Sequence, residues 1–255
     1  MATIAENLQT LKNIKDDIRS AIVSKGVNIT DDLSWTEYAN KISEITTHNL
    51  SNFPLYNGVT FALSSWDHAP DCTIVEDITD MQGMFYGCTN LIDAPVWLSN
   101  INTSTRTREM FHECSSLTSL IPINTSNVTD AAGMFYGCQS LTHIPDMDCS
   151  KMQNIHGMFY NCQSLTSIGH LTGLGEAFTN VSSEYENRRL RLDWSHKLPI
   201  SYFYQIIEDL GVCPYSNGIG DFYVPIEWTN ALTTEERIEI TDNLYNEKNW
   251  NITWG

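Results

Sequence analysis

The chain repeats one eight-residue block four times, and this repetition limits the possible folds more than any other feature of the sequence. Each block has the form Met-Phe-x-x-Cys-x-x-Leu. The blocks begin at Met84, Met110, Met134 and Met158, so their spacings are 26, 24 and 24 residues. A fixed period of this length is typical of a solenoid, in which each unit buries its apolar side only against its neighbours.

The apolar positions inside each repeat predict its local structure. Met, Cys and Leu stand at offsets 0, 4 and 7, which share one face of a short helical turn. A brief strand is predicted next, because another apolar residue follows three positions after the leucine and is often followed by Pro or Gly. These apolar residues are Ala94, Leu120, Ile144 and Ile168. A polar corner such as 124–130 completes the unit, so the sequence predicts an α/β leucine-rich-repeat solenoid with short parallel strands and short helices.

The block Met-Phe-Tyr-Gly-Cys-x-x-Leu, preceded by Asn-Thr-Ser-x-Val-Thr-Asp, resembles the bacterial surface protein repeat of the BspA-like leucine-rich-repeat family. The resemblance covers about residues 74–170. It implies a right-handed solenoid with a narrow parallel sheet, displayed for attachment or recognition. The second copy is longer, and Thr105–Arg108 replaces the acidic corner, so we expect a local bulge there.

Residues 3–25 carry a heptad-like apolar seam that predicts a helix. The seam consists of Ile4, Leu8, Leu11, Lys15, Ile18 and Ile22. An isolated helix of this length is barely stable, so it requires a partner. That partner is either the same helix in other subunits, as a dimer or trimer, or a second helix predicted from Trp35 to Ile45 by the capping-box spacing of Ser34 and Glu37.

Residues 1–45 are similar to the N-terminal segment of virion structural proteins of crAss-like tailed phages that infect gut Bacteroidales. The similar residues are Ala5–Leu11, Ile14, Lys15, Ile18, Lys25–Val27 and Tyr38–Ile42. The resemblance implies an attachment or oligomerisation module. The alternative is a helical cap over the first repeat, because the ends of a solenoid require caps.

The remaining segments complete the predicted domain organisation. An anchor or oligomerisation segment at 1–48 precedes a solenoid at 55–255, which has clear repeats at 74–170 and longer coils with a C-terminal cap at 171–255. Trp66, His68 and Cys72 are assigned to a degenerate first unit. The other predicted elements are a linker at His48–Pro54, strands at Val59–Leu63, Leu190–Ser195, Phe222–Ile226 and Trp250–Trp254, a helix at Ser201–Leu210, and a helix capped by Thr233 and Glu236.

Charge and hydropathy exclude several classes of function. The chain carries 14 basic and 31 acidic residues, a net charge of −17, and such a surface repels the phosphates of nucleic acids. No apolar run is long enough to cross a bilayer. The N-terminus lacks the basic start and apolar core of a secretory signal. We therefore expect a virion protein assembled in the host cytoplasm and released by lysis, or alternatively a protein of the bacterial cell surface.

No constellation of residues indicates catalysis or a cofactor. Four cysteines share one repeat position and are predicted to stack as small buried groups: Cys88, Cys114, Cys138 and Cys162. Without a Cys-x-x-Cys pair, a zinc site is not supported. Asp193, Ser195 and His196 are close in sequence, but neighbouring side chains point to different faces. The acidic corners at Asp80, Asp130, Asp146 and Asp148 suit turns, with weak calcium binding as the alternative. We expect a non-enzymatic protein without cofactor or metal ion.

Two sets of equivalent side chains are candidate binding columns on the outside of the solenoid. The first set precedes the buried strand residues and consists of Asp93, Ser119, His143 and Ser167. The second set occupies the third position of each block and consists of Tyr86, His112, Tyr136 and Tyr160. The aromatic set is able to stack on sugars or on a partner protein. The alternative is that each ring packs on the next coil, because aromatic area is usually buried.

Together these features predict a non-enzymatic phage virion structural protein, a head or tail fibre or decoration subunit. Its solenoid would bind a glycan or protein of the host surface, or a neighbouring virion protein, and several copies would add avidity. The alternatives are a bacterial surface adhesin or interaction protein and, with no catalytic signature in its support, a glycan-active enzyme.

The helical seam generates a first prediction, that residues 1–45 drive self-association of the chain. Light scattering should report an oligomer for the full chain and a monomer for residues 50–255. Finding both species monomeric would contradict the assignment of the seam.

Overall fold

A computed structural model of the chain describes residues 16, 18–19, 53–55, 60–69, 72–74, 77–100, 102–178, 188–214 and 220–255. Within these ranges, short parallel strands combine with a few helices, as the predicted α/β class requires. Residue 16 and residues 18–19 are helical, and Ile18 is buried. The other seam residues and the second predicted helix lie outside the described residues. They are Ile4, Leu8, Leu11, Lys15, Ile22 and 35–45.

Backbone hydrogen bonds join each block to the equivalent positions of the next one. The amide of Phe85 donates to the carbonyl of Met110 at 2.8 Å, and the same bond recurs between the later blocks. Amides at alternate positions continue this pattern on both sides of the phenylalanine. Phe61 donates to Met84 at 2.6 Å, so residues 60–69 form the degenerate unit that the sequence predicts. The repeats therefore stack in register and in parallel.

The block itself is a series of tight turns, so the predicted helical turn is wrong. The amides of Met84, Tyr86 and Cys88 each bond to the carbonyl three residues earlier. A residue with φ near +60° stands immediately before each block and again at its fourth position, for example Gly83 at 61° and Gly87 at 67°. These left-handed residues reorient the chain every four residues. Alternate amides consequently point to the next repeat and do not follow a helix axis.

The predicted strands after each block are present but very short. β3 (His143–Ile144) pairs in parallel with β5 (Ser167–Ile168), and β4 (Met147–Asp148) pairs with β6 (Leu171–Thr172). In the earlier units the strand is reduced to single parallel bridges, such as the one between residues 93 and 119.

The expected bulge at Thr105–Arg108 is wrong. Arg106 forms parallel bridges to both Asp80 and Asp130, so this corner stays in register with its two neighbours. The longer connection between the first two blocks instead contains a 3₁₀ helix at Val96–Asn100. Its residues 97 and 98, a tryptophan and a leucine, are buried, so the additional chain enlarges the core.

Two expectations before the first block also differ from the structure. Phe53–Leu55, at the end of the expected linker, forms β1, which pairs in parallel with β2 (Cys72–Ile74). Residues 60–63, most of the expected strand at Val59–Leu63, form the turn of the degenerate unit. Leu63 has φ of 59°, the conformation that Gly87 adopts in the first full block, and this conformation is incompatible with a strand.

The core of the stack consists of side chains from the predicted positions. All four Met, Phe, Cys and Leu residues of the blocks are buried. The phenylalanine rings of successive blocks are nearly parallel, with centroids 5.2, 5.8 and 6.0 Å apart. Burial of each such ring contributes about 1.5–3 kcal/mol, so this column supplies a large part of the stability of the repeats.

The cysteines form the predicted ladder of buried thiols. The sulfur of Cys88 donates to the carbonyl of Phe61 at 3.2 Å, and Cys114 donates to Phe85 at 3.0 Å. Cys138 and Cys162 continue the pattern at 3.1 and 3.2 Å. Burial raises the pKa of all four thiols, that of Cys162 to about 12, so they remain protonated at neutral pH.

The polar corners form turns stabilised by their own side chains, as predicted. The carboxylate or amide oxygens of Asp80, Asp130 and Asn154 each accept the amide two residues later, at 3.0, 3.2 and 3.1 Å. Asp148 likewise accepts the amide of Ser150 at 3.0 Å. These carboxylates therefore serve the turns.

Beyond the repeats, β7 (Arg189–Arg191), β8 (Gly220–Val224) and β9 (Trp250–Trp254) form a parallel sheet in that order. The predicted strands near 190 and 222 exist with shifted ends, because the chain turns at 193–194 and Pro225 is the N-cap of the next helix. The predicted helix after residue 200, the capping box and the last strand are confirmed. The helices are α1 (Ser201–Asp209), α2 (Ile226–Ala231) and α3 (Thr234–Lys248).

Hydrogen bonds join this C-terminal segment to the last repeat and join its own helices to each other. The carboxylate of Asp209 accepts the amide of Leu171 at 3.0 Å and lies 2.9 Å from the ring of His170, whose pKa it raises. The ammonium group of Lys248 donates to three carbonyls at the end of α1, at 2.6 to 3.0 Å. The described residues of the repeats and of the C-terminal segment are therefore joined by direct contacts.

The phenylalanine column generates a second prediction. Phe135→Ala removes a fully buried ring between two others, so the free energy of unfolding should fall by about 3–5 kcal/mol. Chemical denaturation followed by circular dichroism would measure the loss. Gln139→Ala, at an exposed position of the same block, should leave the free energy unchanged. Equal stability of the two variants would mean that the core face has been misassigned.

Candidate binding surface

The first predicted column lies on the strand side of the stack, and its members bond to one another. Asp93 forms parallel bridges to both His68 and Ser119. The hydroxyl of Ser119 donates to the carboxylate of Asp93 at 2.7 Å. His143 and Ser167 pair across β3 and β5, with Nδ1 and Oγ 2.8 Å apart. This column is exposed or half-buried, and much of its hydrogen-bonding capacity is already used within the stack.

The second predicted column is a stack of aromatic rings. Tyr86 and His112 lie 4.8 Å apart at an angle of 8°, and His112 and Tyr136 lie 4.5 Å apart at 4°. Tyr136 and Tyr160 follow at 5.0 Å and 27°. The faces of the inner rings are therefore covered by their neighbours, as the packing alternative anticipates. Only the edges of these inner rings are left to face solvent.

Small residues flank the aromatic column and allow the rings to approach each other. The positions on either side adopt left-handed conformations, and five of these eight residues are glycine. A Cβ at Gly157 would lie 3.4 Å from the ring of Tyr136. A Cβ at Gly137 would lie 2.9 Å from the carboxylate of Glu113. The rings accordingly form a ridge whose neighbouring positions are largely without side chains.

The column continues beyond the four blocks into the C-terminal sheet. The guanidinium group of Arg191 lies 4.6 Å from the ring centroid of Tyr160 and 5.1 Å from that of Tyr223. Arg191 and Tyr223 are paired residues of β7 and β8. A planar cation thus lies between two aromatic rings, an arrangement stabilised by the ring quadrupoles.

Asp193 and Trp194 complete this end of the column. Asp193 accepts two hydrogen bonds from Arg191, at 2.6 and 3.2 Å, in a bidentate pair. The indole of Trp194 meets the ring of Tyr160 at 5.8 Å and 61°, an edge contact. Trp194 is 40% exposed, so this indole contacts the end of the stack and remains partly open to solvent.

Sequence reasoning did not find Arg191, Trp194 or Tyr223 as parts of the column. The blocks recur every 24 to 26 residues, whereas 31 positions separate Tyr160 from Arg191, so the period gives no register here. The one available signal was the apolar and polar alternation around β7, which places residues 191 and 193 on the same side of an extended segment.

The residues considered for catalysis have separate partners. The buried hydroxyl of Ser195 donates to the carbonyl of Cys162 at 3.2 Å, and His196 pairs with Glu227 at 3.0 Å. Asp193 holds Arg191, so these three side chains do not form a relay. Among the described residues, no group of three or more His, Cys, Asp or Glu side chains is arranged to hold a metal ion. In the same part of the chain, no helix is long and apolar enough to cross a membrane.

Comparison with known families shows a similarity over part of the chain. Residues 62–170 are similar to a family described as "Mycoplasma protein of unknown function, DUF285", a group that includes BspA-like repeat proteins. The matched range contains the four blocks and most of the degenerate unit, and it is less than half of the chain. No curated protein and no solved structure matches the chain.

The aromatic column generates a third prediction. Within the described part of the chain, Nδ1 of His112 is buried and has no hydrogen-bond partner, a defect that costs about 1–3 kcal/mol. His112→Tyr removes that nitrogen and supplies the ring found in the other three blocks. We expect the free energy of unfolding to rise by about 1 kcal/mol, measured by chemical denaturation.

His112→Ala is the matched control for this substitution, because it also removes the nitrogen but deletes the ring. It should destabilise the chain by opening the stack between two tyrosines. If His112→Tyr proved less stable than the unmodified chain, the histidine would have a bonding role that the column does not explain.

Proposed function

We propose that this chain is a non-enzymatic structural protein of a tailed bacteriophage virion, a head or tail fibre or decoration subunit. In this proposal the stacked repeats form a leucine-rich-repeat solenoid that binds the host bacterial surface or a neighbouring virion protein. The N-terminal segment anchors the subunit or joins it to other copies. The proposal rests on the phage resemblance of residues 1–45 together with the architecture of the repeats.

The observation that carries the recognition role is the in-register stacking of the repeats. Their apolar side chains are buried inside the stack, where the centroids of successive phenylalanine rings lie 5.2 to 6.0 Å apart. Equivalent outward positions consequently form continuous columns along the side. Repeated columns suit the binding of a repetitive surface, and several weak contacts from several copies add up to strong attachment.

A bacterial surface adhesin is the second candidate, and the family match favours it. The matched residues 62–170 are similar to a family that includes bacterial repeat proteins. Such a protein would use the same columns for attachment, but it would reside on the cell envelope. The two candidates therefore differ in location and in the partner of the N-terminal segment, and they share the chemistry of the binding surface.

Immunogold electron microscopy separates the two candidates. An antibody raised against residues 60–255 should label phage particles harvested from a lysed culture that produces the chain. Labelling confined to the envelopes of uninfected cells would replace the virion role with the adhesin role. A separate assay tests the non-enzymatic assignment. Bacterial cells treated with the purified chain should release no soluble sugar from their surface glycans, and measurable release would overturn that assignment.

A further inference from the structure

We propose that the C-terminal end of the aromatic column is a binding site for a neutral, hexose-containing glycan. The site consists of Tyr160, Arg191, Asp193, Trp194 and Tyr223 and is called the Trp194 site below. The sugar stacks on the indole of Trp194, and its hydroxyls bond to Asp193 and Arg191. The inference rests on the proposed function, since it names the chemistry that the exposed surface recognises.

A pyranose binds an aromatic side chain through its C–H bonds, which meet the negative face of the ring. The inner rings of the column offer no such face, because His112 and Tyr136 are each covered on both sides. Tyr160 is covered by Tyr136 on one side and by Arg191 on the other. Stacking of sugars along the middle of the column is therefore excluded by its own packing.

Trp194 differs from the rings of the column in this respect. Its plane is inclined by 61° to that of Tyr160, so the two rings meet in an edge contact, which leaves at least one face of the indole free of that neighbour. It is also the one tryptophan among the described residues that is exposed, since the others are buried or half-buried. Exposing the apolar surface of an indole to water is unfavourable in free energy, and a bound apolar sugar face would remove that surface from water.

Arg191 and Asp193 supply fixed polar groups near this indole, because Arg191 lies over the same Tyr160 ring that Trp194 contacts. The guanidinium lies between Tyr160 and Tyr223, at 4.6 and 5.1 Å, and is clamped by the bidentate bond to Asp193. Its side chain is 32% exposed and that of Asp193 is 22% exposed. A carboxylate has about four acceptor sites and a guanidinium has five donors, so both retain capacity after pairing. Adjacent sugar hydroxyls require such a donor and acceptor side by side.

The charge balance selects a neutral ligand. The charges of Arg191 and Asp193 offset each other. The chain as a whole carries −17, which repels uronic acids and other anionic sugars. A neutral hexose satisfies the stacking and hydrogen-bonding groups without this repulsion.

Affinity electrophoresis of the full chain through gels containing dextran, mannan, galactan or alginate tests the site. At least one of the three neutral polymers should retard the chain, and acidic alginate should not. Trp194→Ala should weaken the retardation at least about tenfold, a loss of about 1.4 kcal/mol. The matched control is Tyr204→Ala, which removes a similarly exposed ring on α1 and should change nothing, with circular dichroism checking that both variants fold.

The outcomes separate this inference from the proposed function. Absence of retardation by all three neutral polymers, preference for alginate, or unchanged binding by a folded Trp194→Ala variant would each overturn the glycan site. Binding of the fluorescently labelled chain to bacterial cells is measured in parallel. Cell binding that survives in Trp194→Ala overturns the site alone, and it would point to a protein receptor on another face. The proposed function itself is overturned if the unmodified chain does not bind to cells and the antibody does not label virions.

Discussion

The fold depends on hydrogen bonds that run from one repeat to the next. Within a block the chain makes only three-residue turns, and every second amide, such as that of Phe85, is directed to the neighbouring unit. A single unit would leave these amides unpaired and its phenylalanine and cysteine exposed. The repeats are therefore stable only as a stack. In the described part of the chain, the degenerate unit at 60–69 bonds to the first block, and at the other end of the stack the amide of Leu171 bonds to Asp209 of the C-terminal segment.

The periodicity of the sequence was sufficient to predict which residues are buried but not how the backbone turns. Offsets 0, 4 and 7 fit one face of a helix, and they fit equally well a chain that is reoriented every four residues by a left-handed residue. Gly83 and Gly87 indicate left-handed positions, because glycine favours positive φ. Glu109 and Glu113 adopt the same conformation, but their residue type does not predict it. The position of the longer connection was missed for a related reason, because Trp97 is buried in a 3₁₀ helix outside the repeat pattern.

The candidate surface was predictable only as far as the period extends. Tyr86 to Tyr160 follow from equivalent positions, and their mutual stacking follows from the spacing between units. Arg191 and Tyr223 join the same column through the pairing of β7 with β8, which no repeat length encodes. The geometry then divides the column into two parts. Its inner rings stabilise the stack by covering each other, and its end carries the exposed indole and the polar pair that we propose as the glycan site.

The buried sulfhydryl ladder has a consequence for where such a chain can exist. Each thiol donates a hydrogen bond to a peptide oxygen of the adjoining unit. Burial raises the pKa of each thiol, so the thiolate, which is the form that oxidants and alkylating agents attack, is almost absent at neutral pH. The interior of the repeats is consequently indifferent to redox potential. A chain of this kind keeps the same core in reducing and in aerated surroundings.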